Sequence, residues 1–222
     1  MCWSINYNCR VATSSEPNGH QIRSERSTRL LLKAAGDLVV EGGYQVMTLA
    51  TVGERAGYSR SLATARFGSK AKLLEALLDE IEEHWSIEAV LPDTDAQTGL
   101  EALRGFIARI RDSYERDAWS LAVMYALSFE ALRPVPDLRP RMVDFHRSLQ
   151  SQIASIIRSG IEDGSIDPEV DPEQQAAGIV AQLRGVGYLW MLDPEGIDPI
   201  SVLTLFMEQC TQCLACGHVM TD

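Results

Sequence analysis

The sequence predicts an all-α protein: an N-terminal three-helix unit containing a helix-turn-helix over residues 24–85, and a C-terminal helical domain over residues 95–217. Three observations carry this. The stretch TLATVGERAGYSRSLATARFGSK, Thr48 to Lys70, reads as two short helices joined by a tight turn, with a third helix opening behind it. Apolar residues recur at helical spacing through the other long segments. The run LPDTDAQTG, with Pro92 and Gly99, marks a boundary between the two parts.

Residues 1–23 contain Ser, Asn, Gly and Pro without a periodic apolar face and read as a flexible arm, with Arg23 and Arg26 available as phosphate or minor-groove contacts. The opening MCWSINYNCRVATSSEPNGHQ lacks a basic stretch followed by a continuous apolar one, so neither a signal peptide nor a membrane anchor is expected, and a cytoplasmic location is. A first helix is expected from about Ser24 to Glu41. It would bury Leu31, Ala35, Leu38 and Val39 and end at Gly42-Gly43.

Thr48 can cap the next helix, whose Leu49, Val52 and Ala56 share a face and which stops at Gly57, a residue free to take the left-handed conformation. Ser59 can cap the following one, from Arg60 to about Phe67. Leu62, Ala63 and Phe67 turn inward there, and Arg60, Ser61, Thr64 and Arg66 stay outside. A short, polar, basic face braced across a turn is what a helix-turn-helix sets against base edges in the major groove. The DNA-contacting set read from this pattern is Thr48, Ser59, Arg60, Ser61, Thr64, Arg66 and Lys70. Lys70 opposes the dipole of the helix that Ser69 opens, a position that suits a phosphate in front of it.

The flanks sharpen this. Ala34-Ala35 in the first helix, Gly43-Tyr44 after it, Thr48, Ala56-Gly57 with Ser59 at the turn, and Phe67-Gly68-Ser69-Lys70 with Leu73-Leu74 beyond resemble the tetracycline-repressor-type (TetR) family of bacterial transcriptional regulators. The resemblance covers about residues 26–83. The chain departs from the family on the reading face, with Thr64 where members commonly carry an aromatic and Arg66 where they carry His or Tyr. The family's usual Ile-Ala is Val52-Gly53 here, and Gly costs about 1 kcal/mol of helix propensity against Ala. The resemblance implies a homodimer on a palindromic double-stranded DNA site, with a small-molecule effector in the C-terminal domain releasing the DNA.

Charge is divided to match. The chain carries -11 in total, yet residues 20–70 hold eight Lys/Arg against four acids, and residues 71–222 hold eleven against twenty-six. One part suits phosphates, and the other is repelled by them and kept soluble.

Behind the helix-turn-helix, a fourth helix continues through Leu77, Leu78 and Ile81 to Trp85 and reads as the lever between domains. The fifth spans Leu100 to about Tyr114. The sixth, AWSLAVMYALSFEAL, is apolar nearly all round and must be buried on all sides. After three prolines a long seventh helix runs from about Arg141 to Ile161. By the family's arrangement the effector cavity lies among these helices, with Trp119, Met124, Tyr125, Phe129 and His146 as its lining. Tyr125 and His146 would be the polar groups in an otherwise apolar pocket. The last two helices are rich in small or apolar residues and look like half of a dimeric four-helix bundle, with Ala181, Gly185, Tyr188, Leu203 and Phe206 at the interface.

Two other readings remain open in the residues. CTQCLAC places Cys210, Cys213 and Cys216 at C-x-x-C-x-x-C spacing, but the spacing also continues a helical stripe and only His218 stands near. Packing is the first reading and a metal or redox sensor the second. No metal and no cofactor is therefore assigned. A regulator that binds DNA without any ligand is the other. An enzyme is not expected: there is no glycine-rich phosphate loop, nucleophile elbow or HExxH spacing, and the four histidines stand apart.

Overall fold

The computed structural model describes residues 19–85 and 98–215. Within them lie nine helices and no strand beyond one isolated bridge, Ile166 to Ala215. They are α1 (Gly19–Val46), α2 (Leu49–Arg55), α3 (Arg60–Phe67), α4 (Lys70–His84), α5 (Gly99–Arg116), α6 (Ala118–Glu130), α7 (Leu138–Glu162), α8 (Pro172–Leu192) and α9 (Pro199–Leu214).

Local chemistry sets most of these boundaries. Thr48 and Thr51 form a reciprocal capping box on α2, and Ser59, Ser69 and Asp117 each accept a backbone N–H at the start of α3, α4 and α6. Asp171 and Asp198 do the same for α8 and α9, each followed by a proline whose missing N–H is one the first turn does not need. Gly57 and Gly68, at φ 75° and 76°, end α2 and α3.

Three expectations are corrected. The first helix starts at Gly19, so the expected arm is helical at its end; from Gly19 to Glu41 no proline or inner glycine pair interrupts it. The chain also continues helically past Gly42-Gly43, with a kink at Gly43 (φ 75°) and further helix to Val46. Gly99 does not sit in a linker. It opens α5 hard against α7, where a Cβ would lie 2.2 Å from the Gly160 backbone nitrogen, and its N–H donates to Asp163 at 2.6 Å. Residues 1–18, Pro92, Cys216 and His218 lie outside the described residues.

One core runs through both domains. α6 is its hub, touching α1 and α4 on one side and α5, α7 and α8 on the other. Gly36 in α1 lets Trp119 lie flat on the helix: a Cβ there would meet the indole at 2.6 Å and Val123 at 2.9 Å. Trp119 Nε1 donates to Asp37 at 2.7 Å, and Asp37 also pairs with Lys33. Arg141 of α7 binds Glu82 and Asp79 of α4 at 2.5 and 2.9 Å, which holds its guanidinium charged. The domains are thus joined by α1 on α6 and α4 on α7, not by α4 alone.

Candidate DNA-reading face and effector chamber

The turn between α2 and α3 closes over Gly53, whose Cβ would stand only 3.0 Å from the Ser59 carbonyl oxygen, and Tyr58 N–H bonds back to the Gly53 carbonyl at 2.8 Å. The residue that reads as a propensity loss is therefore where the two helices approach. With Ala63 and Phe67 buried, Ser59, Arg60, Ser61 and Thr64 form one exposed face. Ser59 and Ser61 share a hydrogen bond at 2.7 Å, and Arg60 extends from the face with no partner among the described residues.

The remaining predicted contacts have other attachments. Thr48 is the α2 cap. Arg66 turns back to α1, donating to Ser24 Oγ at 2.8 Å and more weakly to Ser27. Beside it lies an open groove of about 520 Å³ between α1 and α3, lined by Arg23, Ser24, Arg26, Tyr58 and Arg66 among others. Lys70 donates to the Gln45 carbonyl at 3.2 Å and lies 4.0 Å from the centre of the Tyr44 ring. Partial burial there lowers its pKa, opposed by Glu130. Tyr58 is not among the residues the sequence pattern picks out; its place next to the turn glycine is the signal that could find it.

In the C-terminal domain a small chamber of about 20 Å³ lies between the end of α4 and helices α5, α6, α7 and α8. Met124 and Tyr125 line it, as expected. Phe129 and His146 instead border an open groove of about 460 Å³ between α6 and α7, which shares Tyr125 and Arg184 with the chamber. Trp119 is corrected: it lines neither, because Gly36 and Asp37 hold it on α1. Nor does Tyr125 offer its hydroxyl, which donates to the Leu183 carbonyl at 3.1 Å and lies 3.3 Å from the Tyr114 hydroxyl. Burial pushes the Tyr114 hydroxyl far above the usual phenol range. His146 Nδ1–H donates to the Met142 carbonyl at 2.6 Å, and burial followed by the charge of Arg184 lowers its pKa.

Two polar groups in this region lie outside the set that the sequence pattern suggests. Arg184 of α8 reaches Met124 Sδ at 3.1 Å and lies over the Tyr125 and Phe145 rings. Trp85, the C-cap of α4, supplies its indole. A single charge within the apolar run GIVAQLRGVGYLWML is the signal for Arg184.

The α8 and α9 surface is apolar. Tyr188 is 50% exposed, Leu192 67% and Leu205 55%, with Ala181 and Gly185 exposed beside them and Phe206 half-buried. Leu203 is corrected: it is fully buried in its own chain, and Val202 and Leu205 take the outer positions. Cys210 faces the core, where burial pushes its thiol up to about 11, and Cys213 faces outward on the same helix. Among the described residues no cluster of three or more His, Cys, Asp or Glu is placed to hold a metal, and no helix is long and apolar enough to cross a membrane.

A free polar face on the second helix of a helix-turn-helix, carried by a helical domain with its own internal chamber, defines a DNA-binding regulator. The family model for bacterial regulatory proteins of the tetR family matches residues 31–77, and that for the C-terminal part of BetI-type transcriptional repressors matches residues 99–215. The chain belongs to the TetR family of transcriptional regulators. It is similar to the regulator BetI 1 of Chromohalobacter salexigens, 28% identical over 87% of this chain and 94% of that one. It is also similar to the regulator TtgR of Pseudomonas putida, 25% identical over 76% and 81%. Among solved structures it matches the SmeT–triclosan complex with a TM-score of 0.72, at 20% identity and covering 89% and 95% of the two chains. SmeT is the repressor of a Stenotrophomonas maltophilia multidrug efflux pump.

Proposed function

We propose that this protein is a cytoplasmic, homodimeric repressor rather than an enzyme, that it binds a palindromic DNA operator through the exposed face of α3, and that a small, mainly apolar or aromatic effector in the C-terminal chamber releases it. The observation that carries the reading is the position of Trp85. It caps α4, whose first turn holds Lys70 against α1, and it also lines the chamber. A molecule that enters the chamber therefore acts on the helix that positions the helix-turn-helix. The SmeT complex with triclosan supports a ligand of this kind.

A switch from 1:99 to 99:1 between the two states needs about 5.5 kcal/mol of differential ligand affinity. Apolar burial on opening a collapsed chamber is the available source. The test is a mobility-shift series with DNA fragments flanking the protein's own gene, first alone and then with apolar and aromatic compounds. Tight binding of one fragment and its release by a compound that perturbs Trp85 fluorescence are expected. Failure to bind any DNA more tightly than random sequence would overturn the reading.

A further inference from the structure

We propose that the effector is an amphipathic anion: an apolar or aromatic body carrying a carboxylate or phenolate, with the anionic oxygen held by Arg184 and Trp85. This rests on the chamber being the effector site and names the chemistry it selects.

Two N–H donors at this chamber are buried without an acceptor among the described residues, Trp85 Nε1 and Arg184 Nε, and Trp85 is only 8% exposed. Unmet buried donors destabilise a fold, and two on residues that line one small space indicate a partner that brings the acceptors. The chamber offers little of its own: the Tyr125 hydroxyl donates to Leu183 while its oxygen accepts from the Tyr114 hydroxyl, and Met124 Sδ is a weak acceptor. Arg184 has no ion-pair partner among the described residues and makes only soft contacts with sulfur and ring faces. The aromatic walls alone suit a quaternary ammonium, but the guanidinium already lies over the Tyr125 and Phe145 rings, so a second cation is repelled.

The approach has the same sign. The groove between α6 and α7 is lined by Arg139, Arg147 and Arg184 together with His146, and by no carboxylate, on a chain with a net charge of -11. Arg147 meets Asp144 only at 4.0 Å, with both side chains largely exposed. A separate hollow of about 400 Å³, which shares Trp85, Phe145 and Leu149 with the chamber, is bordered by Glu82 and Asp144, with Arg141 there already paired to Glu82. An anion is therefore guided in from the α6–α7 side, its body along Phe129, Leu132 and Val143, which are exposed apolar residues of that region.

The experiment uses three probes with one body: biphenyl-4-carboxylate, biphenyl-4-methanol and (biphenyl-4-ylmethyl)trimethylammonium, titrated into the full chain by calorimetry and tryptophan fluorescence. The carboxylate is expected to bind about tenfold or more tighter than the alcohol, and the cation weakest. Arg184→Met should bring carboxylate and alcohol together, and Arg184→Lys should keep part of the preference. The double variant Arg139→Glu, Arg147→Glu, confined to the groove mouth, should slow association of the carboxylate and leave that of the alcohol unchanged. Equal binding of the three probes, tightest binding of the cation, binding of none, or a preference that survives Arg184→Met would each overturn the anion assignment. Operator binding is measured on the same samples: loss of the anion preference with DNA binding intact removes only this inference, and absence of specific DNA binding removes the reading on which it rests.

Discussion

Arg60 and Arg66 both read from the sequence as outward basic residues of one short helix, yet their surroundings assign them different work. Arg60 is unattached on the exposed face, whereas Arg66 bonds to Ser24 and Ser27 across α1. A bidentate Arg contact to guanine discriminates by about 1–3 kcal/mol. Arg60→Ala is therefore expected to relax specificity at one position per half-site in a base-substitution series; an unchanged profile would remove Arg60 as a reader. Lys70→Ala should weaken all sequences alike and lower the salt slope by about one unit for each phosphate that is no longer neutralised.

His146 makes a residue-scale prediction of another kind. Burial and then Arg184 hold its folded pKa below the ordinary 6.5. Between the two values the unfolded chain binds more protons than the folded one, so stability rises with pH in that window. The contribution is complete above the ordinary value and is lost as pH falls below it. Urea midpoints of the parent should decline more steeply from pH 7.5 to 5.5 than those of His146→Asn, and parallel profiles would count against the assignment.

At the scale of elements, α6 shows what a helix apolar on all sides is for. It was legible as a buried helix because AWSLAVMYALSFEAL offers no polar face, but its partners were not. The pattern of α1 gives Gly36 no role, and only the structure shows the Trp119 indole seated on it. Gly187 is similar: it belongs to a run of small residues that suggests subunit contact, yet a Cβ there would lie 1.8 Å from the Tyr125 ring of the same chain. In α9 nearly every residue from Pro199 to Met207 is apolar, so periodicity could not decide whether Leu203 or Leu205 turns inward. The caps at Thr48, Ser59 and Ser69 were legible because a cap is a contact between near neighbours in sequence. The α1–α6 seam tests this view. Gly36→Ala gains about 1 kcal/mol of helix propensity but forces a methyl into the indole, an overpacking that costs about 1–3 kcal/mol. Thermal unfolding should show a lower midpoint despite the better helix former. A raised midpoint would mean that the domains part at this seam without cost.

The whole molecule is organised by a division of charge and by the uncovered apolar face of α8 and α9. If the basic N-terminal part meets the phosphates as proposed, the acidic C-terminal domain is repelled by them, and the sign of the field orients the protein before any base is read. Recognition helices must lie about 34 Å apart to enter successive major grooves, which one chain with one α3 cannot provide. The α8–α9 surface, with Tyr188, Leu192 and Leu205 exposed around Ala181 and Gly185, is the face a second copy would cover. Gly185 allows a clean test, because a Cβ at that position has nothing within 4 Å in its own chain. Gly185→Leu should leave helix content and the chain's own packing intact while parting the two subunits, unlike a change at Gly187, which would strike Tyr125. Sedimentation velocity should show a monomer at concentrations where the parent is a dimer, and tight operator binding should disappear with the dimer. A Gly185→Leu protein that remains fully dimeric would place the subunit contact elsewhere on the C-terminal domain.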